Sequence, residues 1–191
     1  MQLSVLYRAL TAYTGTIYMD KSETTRHAEF MQLYNQSHAR LTRYVQSVVY
    51  SRADVKDIVS ETVLKVYEKF DTIEKKESFI YYLFKTASRL ITDLHKKQNR
   101  FAELDEELFL QLPASTITTA QSLEVKDLYT ALSQLPLATR EALVLFEIDG
   151  FSQEEICKIQ GGTLSGVKSR ITRGREALKK IIVAADAVKT V

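Results

Sequence analysis

At 191 residues the chain has room for one domain or two small ones. With only six Gly and two Pro among 45% hydrophobic and 26% charged residues, it is expected to be all-α, because sandwiches and barrels need more turn residues. The net charge of +2 excludes nothing by itself, but a single cysteine, Cys157, excludes an internal disulfide framework, and no apolar run reaches the roughly 18 residues of a membrane span.

Cysteine usage fits a reducing, cytoplasmic setting, and the first residues lack the basic and apolar segments of a signal peptide. Residues 1–25 are read as an N-terminal extension of unassigned role, with Met19 a second candidate start. A first helix is predicted over 29–50, with Phe30, Leu33, Tyr34, Leu41, Tyr44, Val45 and Val48 on one face. A second covers 54–70, with Ile58, Val59, Thr62, Val63, Val66, Tyr67 and Phe70 inward. A third covers 78–97, with Phe79, Tyr82, Leu83, Ala87, Leu90 and Leu94 inward. Together these form a three-helix domain over 26–100.

Residues 101–122 are acidic, then rich in Ser, Thr and Ala around Pro113, and read as a flexible linker with one short turn near 103–108. Beyond it, 123–135, 137–148, 152–159 and 164–183 are expected to be four helices of a second small domain, 123–185.

The segment 150–180 is the most specific part of the chain. Gly150 suits a left-handed helix terminator. Ser152 and Glu155 have capping-box spacing, Gly161 and Gly162 break the next helix, and Thr163 can cap the one after it. Two helices joined by a short Gly-containing turn form the helix-turn-helix pattern, whose second helix enters the major groove of DNA. On that helix Leu164, Val167, Ile171 and Leu178 are expected to be buried. Ser165, Lys168, Ser169, Thr172 and Arg173 occupy the opposite face, flanked by Arg170 and Arg175. Hydroxyls and cations on one exposed face suit phosphate anchoring and a few base contacts. Gly166 weakens the helix but permits close backbone approach, Gly174 suits a tight helix crossing, and Cys157 is expected to be a small buried residue. By themselves these features also fit a solvated basic face on an ordinary helical hairpin.

In this context 131–181 resembles region 4 of bacterial sigma factors. The shared features are the Leu-Pro at Leu135 and Pro136, the Gly-x-Ser-x-x-Glu-Ile step from Gly150, and the Val-Lys-Ser-Arg run from Val167. "DVKDIVSETVLKVYEKF" and "SFIYYLFKTASRLITDLHKK" resemble region 2 and the helix after it, in the family's order and with a linker of suitable length. The chain is therefore identified as similar to the extracytoplasmic-function group of the sigma-70 family. Tyr82 and Arg89 depart from the Trp and Asn common at these places, and Gly162 from an apolar residue.

The resemblance implies a non-enzymatic subunit that binds core RNA polymerase and promoter DNA. Region 4 would read the minus-35 element as duplex, through Thr163, Ser165, Gly166, Lys168, Ser169, Arg170 and Arg173. Region 2 would grip the minus-10 element through Tyr81, Lys85, Arg89, Lys96 and Lys97, where one aromatic followed by cations suits an opened strand. Ser88 and Thr92 are expected on that face too. Asp54, Asp57 and Glu61 share a helix face and would dock on the polymerase, although a Glu61–Lys65 pair on a solvated face is the plainer reading. The family also leaves room for an anti-sigma factor. No cofactor, metal or membrane insertion is expected, and His27, His38 and His95 are scattered. Two other readings stay open at this stage. One is a helix-turn-helix regulator that never meets polymerase. The other is a sigma-like interaction module without promoter recognition, suggested by Arg89 and Gly162.

Overall fold

A computed structural model describes residues 21–49, 51–73, 75–104 and 123–189. All seven of its longer elements are α-helices, as expected. They are α1 Lys21–Val48, α2 Arg52–Glu68, α3 Phe79–Leu104, α4 Leu123–Ser133, α5 Leu137–Glu147, α6 Gln153–Gln160 and α7 Leu164–Lys189. Two 3-10 turns, Phe70–Thr72 and Lys76–Ser78, join α2 to α3. Among the described residues there is no strand, and no helix is long and apolar enough to cross a membrane.

Contacts divide the chain into residues 1–36 and residues 37–191. Within the described part of the first unit, Phe30 and Tyr34 stack one turn apart on α1, with ring centroids 6.0 Å apart. The second unit contains the end of α1 and all later helices.

Local chemistry sets the helix bounds. Ser51 caps α2 by accepting from the Asp54 amide at 3.3 Å, a start signal that apolar periodicity alone does not reveal. Helix α3 runs to Leu104, four residues into the stretch read as linker; residues 105–122 and 1–20 lie outside the described residues. Gly150, at φ +68°, allows the reversal after α5, and the Phe151 amide returns to the Leu145 carbonyl at 2.9 Å.

Helix α3 packs on α2 and also on α6, and that second contact rotates its buried stripe relative to the sequence expectation. Phe79, Leu83, Phe84, Ala87, Ser88 and Ile91 are buried, whereas Tyr82, Leu90 and Leu94 are half-buried. Helix α7 packs on α4, α5 and α6 through Val167 and Ile171. Leu164, expected inside, is 37% exposed, and Leu178 is half-buried, because the neighbouring helices cover only the middle of the stripe. Cys157 is likewise half-buried. Gly174 has the predicted role: a Cβ there would lie 3.0 Å from the Thr139 methyl and 3.7 Å from Leu143, so α5 and α7 cross closely at this point.

Candidate nucleic-acid interface

The capping box of α6 is complete. Glu155 donates its amide to Ser152 Oγ at 3.2 Å, and Ser152 donates its own to Glu155 Oε2 at 2.7 Å. After α6, Gly161 and Gly162 have φ of +79° and +91°, values that L side chains rarely adopt. Gly162 also lies against the Arg170 guanidinium, 3.3 Å from where a Cβ would be. The departure at Gly162 therefore has a local cause in the turn, whose backbone conformation favours glycine. Thr163 then caps α7 by accepting from the Gly166 amide at 3.1 Å.

This turn presents Thr163, Ser165, Lys168, Thr172 and Arg173 as exposed residues, with Ser169 and Gly166 half-exposed beside them. Arg173 is steadied by donation to the Ser169 carbonyl at 3.2 Å. Arg170 is placed differently from the rest of the predicted set. It is half-buried and donates to Gln160 Oε1 at 2.7 Å and to the Gly166 carbonyl at 3.3 Å. It braces α6 against α7. Arg175 reaches back to Glu147 Oε1 at 2.5 Å.

On α3, Arg89, Lys96 and Lys97 are exposed and Lys85 is half-exposed. Lys96 pairs with Asp93 at 3.7 Å. Ser88, placed on this face by the helical wheel, is buried instead, beside Tyr44 of α1 and Glu141 of α5. Tyr81 is half-buried. Its hydroxyl donates to the Glu155 carboxylate, and its ring lies 6.1 Å from Phe151, with Lys158 Nζ 5.5 Å away. That hydrogen bond holds the Glu155 carboxyl below its usual range and raises the Tyr81 phenol.

On α2, Asp57 and Glu61 are exposed, Glu61 pairing with Lys65 at 3.3 Å, while Asp54 is half-buried and accepts from Gln98 at 3.4 Å. Leu64, 58% exposed and one turn beyond Glu61, is an addition to this face. Its only signal in the sequence is an apolar residue off the buried stripe.

The two predicted halves meet through polar groups. Tyr44 on α1 donates to Glu141 Oε1 on α5 at 2.7 Å, and Gln160 donates to Glu141 Oε2 at 3.2 Å. With the Arg170–Gln160 bond, a hydrogen-bonded chain runs from α1 through α5 and α6 to α7. Arg140, buried, donates to the Val48 carbonyl at the end of α1 at 2.9 Å, and to Leu135 and Ser133 at the end of α4. Arg40 donates to the Asp149 carbonyl, lies 3.6 Å from its carboxylate and sits 4.1 Å over the Phe151 ring. Burial raises Asp149 from the ordinary 3.8 to about 6, with Arg40 and Arg43 opposing the rise. Burial also raises Glu141, against hydrogen bonds from Tyr44, Ser88 and Gln160 and the charge of Arg140.

Comparison with known proteins matches two segments of the chain. The Sigma-70 region 2 family model matches residues 33–101, and that of Sigma-70, region 4 matches residues 126–178. The chain is 30% identical over 131 residues to the ECF RNA polymerase sigma factor EcfG of Rhodopseudomonas palustris (strain TIE-1), covering 69% of this chain and 71% of that protein. It is 29% identical over 172 residues to the ECF RNA polymerase sigma factor SigE of Mycolicibacterium smegmatis, covering 87% of this chain and 66% of that one. Among solved structures it is similar to the sigma factor RpoE of Bartonella quintana, determined in complex with the anti-sigma factor NepR. The TM-score is 0.71 at 25% identity, over 80% of this chain and 96% of that one.

Proposed function

As the chain belongs to the sigma-70 family, in its extracytoplasmic-function group, it is an alternative sigma factor that binds core RNA polymerase and directs promoter recognition, and we propose that its two halves divide that work. Residues 123–185 read the minus-35 element as duplex. The observation that carries this reading is the capped start of α7, where Thr163, Ser165, Lys168 and Arg173 are exposed on one side and Gly166 keeps the backbone accessible. Arg170 contributes by fixing α6 to α7 rather than as a first contact.

Residues 26–100 grip the minus-10 element, with Tyr81 as a stacking surface and Lys85, Arg89, Lys96 and Lys97 neutralising phosphates. Asp54, Asp57 and Glu61, with Leu64 as an apolar neighbour, form the polymerase-docking face of α2. The protein is not itself an enzyme, and it works in the cytoplasm on promoter DNA. An anti-sigma factor is a further partner; a similar sigma factor was solved with one.

The test is in vitro transcription with cognate core polymerase on fragmented genomic DNA, with start sites mapped. Discrete starts sharing two spaced upstream elements are expected. Assembly with core but no specific starts would leave only an interaction module.

A further inference from the structure

Between residues 168 and 175, α7 carries four cations, Lys168, Arg170, Arg173 and Arg175, and the fold treats them unequally. Lys168 is exposed, and Arg173 bonds back to its own helix at the Ser169 carbonyl. The other two are drawn to neighbouring helices, Arg175 to Glu147 on α5 at 2.5 Å and Arg170 to Gln160 at the end of α6 at 2.7 Å. These two ties differ in what stands behind them. The side chains of Arg175 and Glu147 are 54% and 44% exposed, and an ion pair so open to water holds little. The tie on Arg170 is anchored in the core.

Gln160 bridges two charged groups. A guanidinium only donates and an ionised carboxylate only accepts, so the amide has one orientation, with Oε1 toward Arg170 and Nε2 toward Glu141 Oε2 at 3.2 Å. The same Nε2 donates to the Ala138 carbonyl at 3.1 Å. Glu141 is 3% exposed and is held in turn by Tyr44. The amide therefore cannot swing into water without leaving a buried carboxylate oxygen short of a donor. Arg170 is bound to an arm whose other end is fixed in the interior. Its Nη2 lies toward the turn, 3.3 Å from where a Cβ would be at Gly162 and 3.8 Å from that of Gly166. With glycine at both places, neither residue has a side chain to cover that edge, and Arg173, one turn on, is exposed beside it.

We propose that Gln160 is a positioning residue that withholds Arg170 from the DNA backbone: by binding the guanidinium against α6, it limits the number of phosphates that α7 neutralises. The proposal rests on the reading of α7 as the duplex-facing helix. A phosphate contact is made with any sequence, so withholding one lowers binding to all DNA without choosing a promoter. Released from Gln160, Arg170 turns to a phosphate beside the turn, whose charged oxygens accept more strongly than an amide carbonyl.

The experiment uses holoenzyme assembled from the full-length protein and core polymerase. Two fluorescent duplexes of equal length, one carrying the mapped minus-35 element and one of random sequence, are titrated from about 0.05 M to about 0.5 M salt. The variants are Gln160→Met, which keeps the volume and loses the amide, Gln160→Ala in case the longer side chain disturbs the turn, and Gln160→Met combined with Arg170→Ala. The expected result is a slope of log K against log salt steeper by about 0.9 on both duplexes, equivalent to about eightfold in affinity across that range. Adding Arg170→Ala should remove the gain. A lower melting temperature is expected whether or not Arg170 is withheld, since Glu141 loses a donor, so the slope decides. An unchanged slope in both Gln160 variants would overturn the proposal, and so would a gain that survives Arg170→Ala. Lys168→Ala separates this claim from the one beneath it. If it lowers the slope while the Gln160 variants leave theirs unchanged, the withholding falls and the reading of α7 stands. If Lys168→Ala leaves the slope unchanged as well, the reading of α7 falls with it.

Discussion

Arg170 and Lys168 stand two residues apart on α7, yet they do different physical work. Lys168 is exposed and suited to a phosphate, while Arg170 spends its donors on Gln160 and the Gly166 carbonyl. Replacing Lys168 and Arg173 by Ala should weaken promoter binding and reduce the slope of log K against log salt by about one for each phosphate no longer neutralised. Arg170→Ala should act first on stability, with a lower urea midpoint and a smaller change in salt slope. Equal slopes for all three would remove the distinction. At Ser152 the capping box sets the expectation: Ser152→Ala should cost about 1 kcal/mol in urea unfolding. Gly174→Ala should also destabilise, by about 1–3 kcal/mol, because the added methyl meets Thr139 at the α5–α7 crossing. A neutral result there would mean that α5 yields easily.

At the scale of elements, helix identity was legible because caps and punctuation are local. Ser152, the Gly161–Gly162 pair and Thr163 could each be read from their neighbours, and α6 and α7 begin where these residues require. Which face of α3 would be buried was less legible. A helical wheel assumes one buried stripe, but α3 is covered by α2 on one side and α6 on another, and α6 lies some 70 residues away in the chain. Phe84, against Phe151 and Tyr44, and Ser88, beside Glu141, are buried through long-range packing, for which no short window of sequence carries a signal. The face of α2 was legible for the opposite reason: Asp57 and Glu61 are exposed, as their spacing suggested.

The joint between α5 and α6 also carries a titration. Asp149 is raised to about 6 by burial, and Glu141 is raised as well, so the packed form binds protons more tightly than the unfolded chain. This stabilisation is complete below about pH 4 and is lost as pH rises through about 6. The D149N variant should therefore gain on the wild type in melting temperature between about pH 4 and pH 7. A constant difference across that range would show that Asp149 titrates normally.

For the whole molecule, the prediction concerns assembly. Reversing Asp57 and Glu61 to Lys should weaken binding to core polymerase while leaving the helical content and melting temperature near those of the wild type, since both side chains are exposed. Undiminished assembly in a pull-down or by size-exclusion chromatography would move the docking face away from α2.

The hydrogen-bonded chain from Tyr44 through Glu141 and Gln160 to Arg170 has a consequence for descent as well as for stability. Its members come from opposite ends of the sequence, so a change at one must be answered at another for the joint to survive. A hybrid gene that joined the first half of this protein to the second half of a relative would inherit only part of that match. The two halves are expected to have been inherited as a pair, with Tyr44 and Glu141 changing together from one lineage to the next.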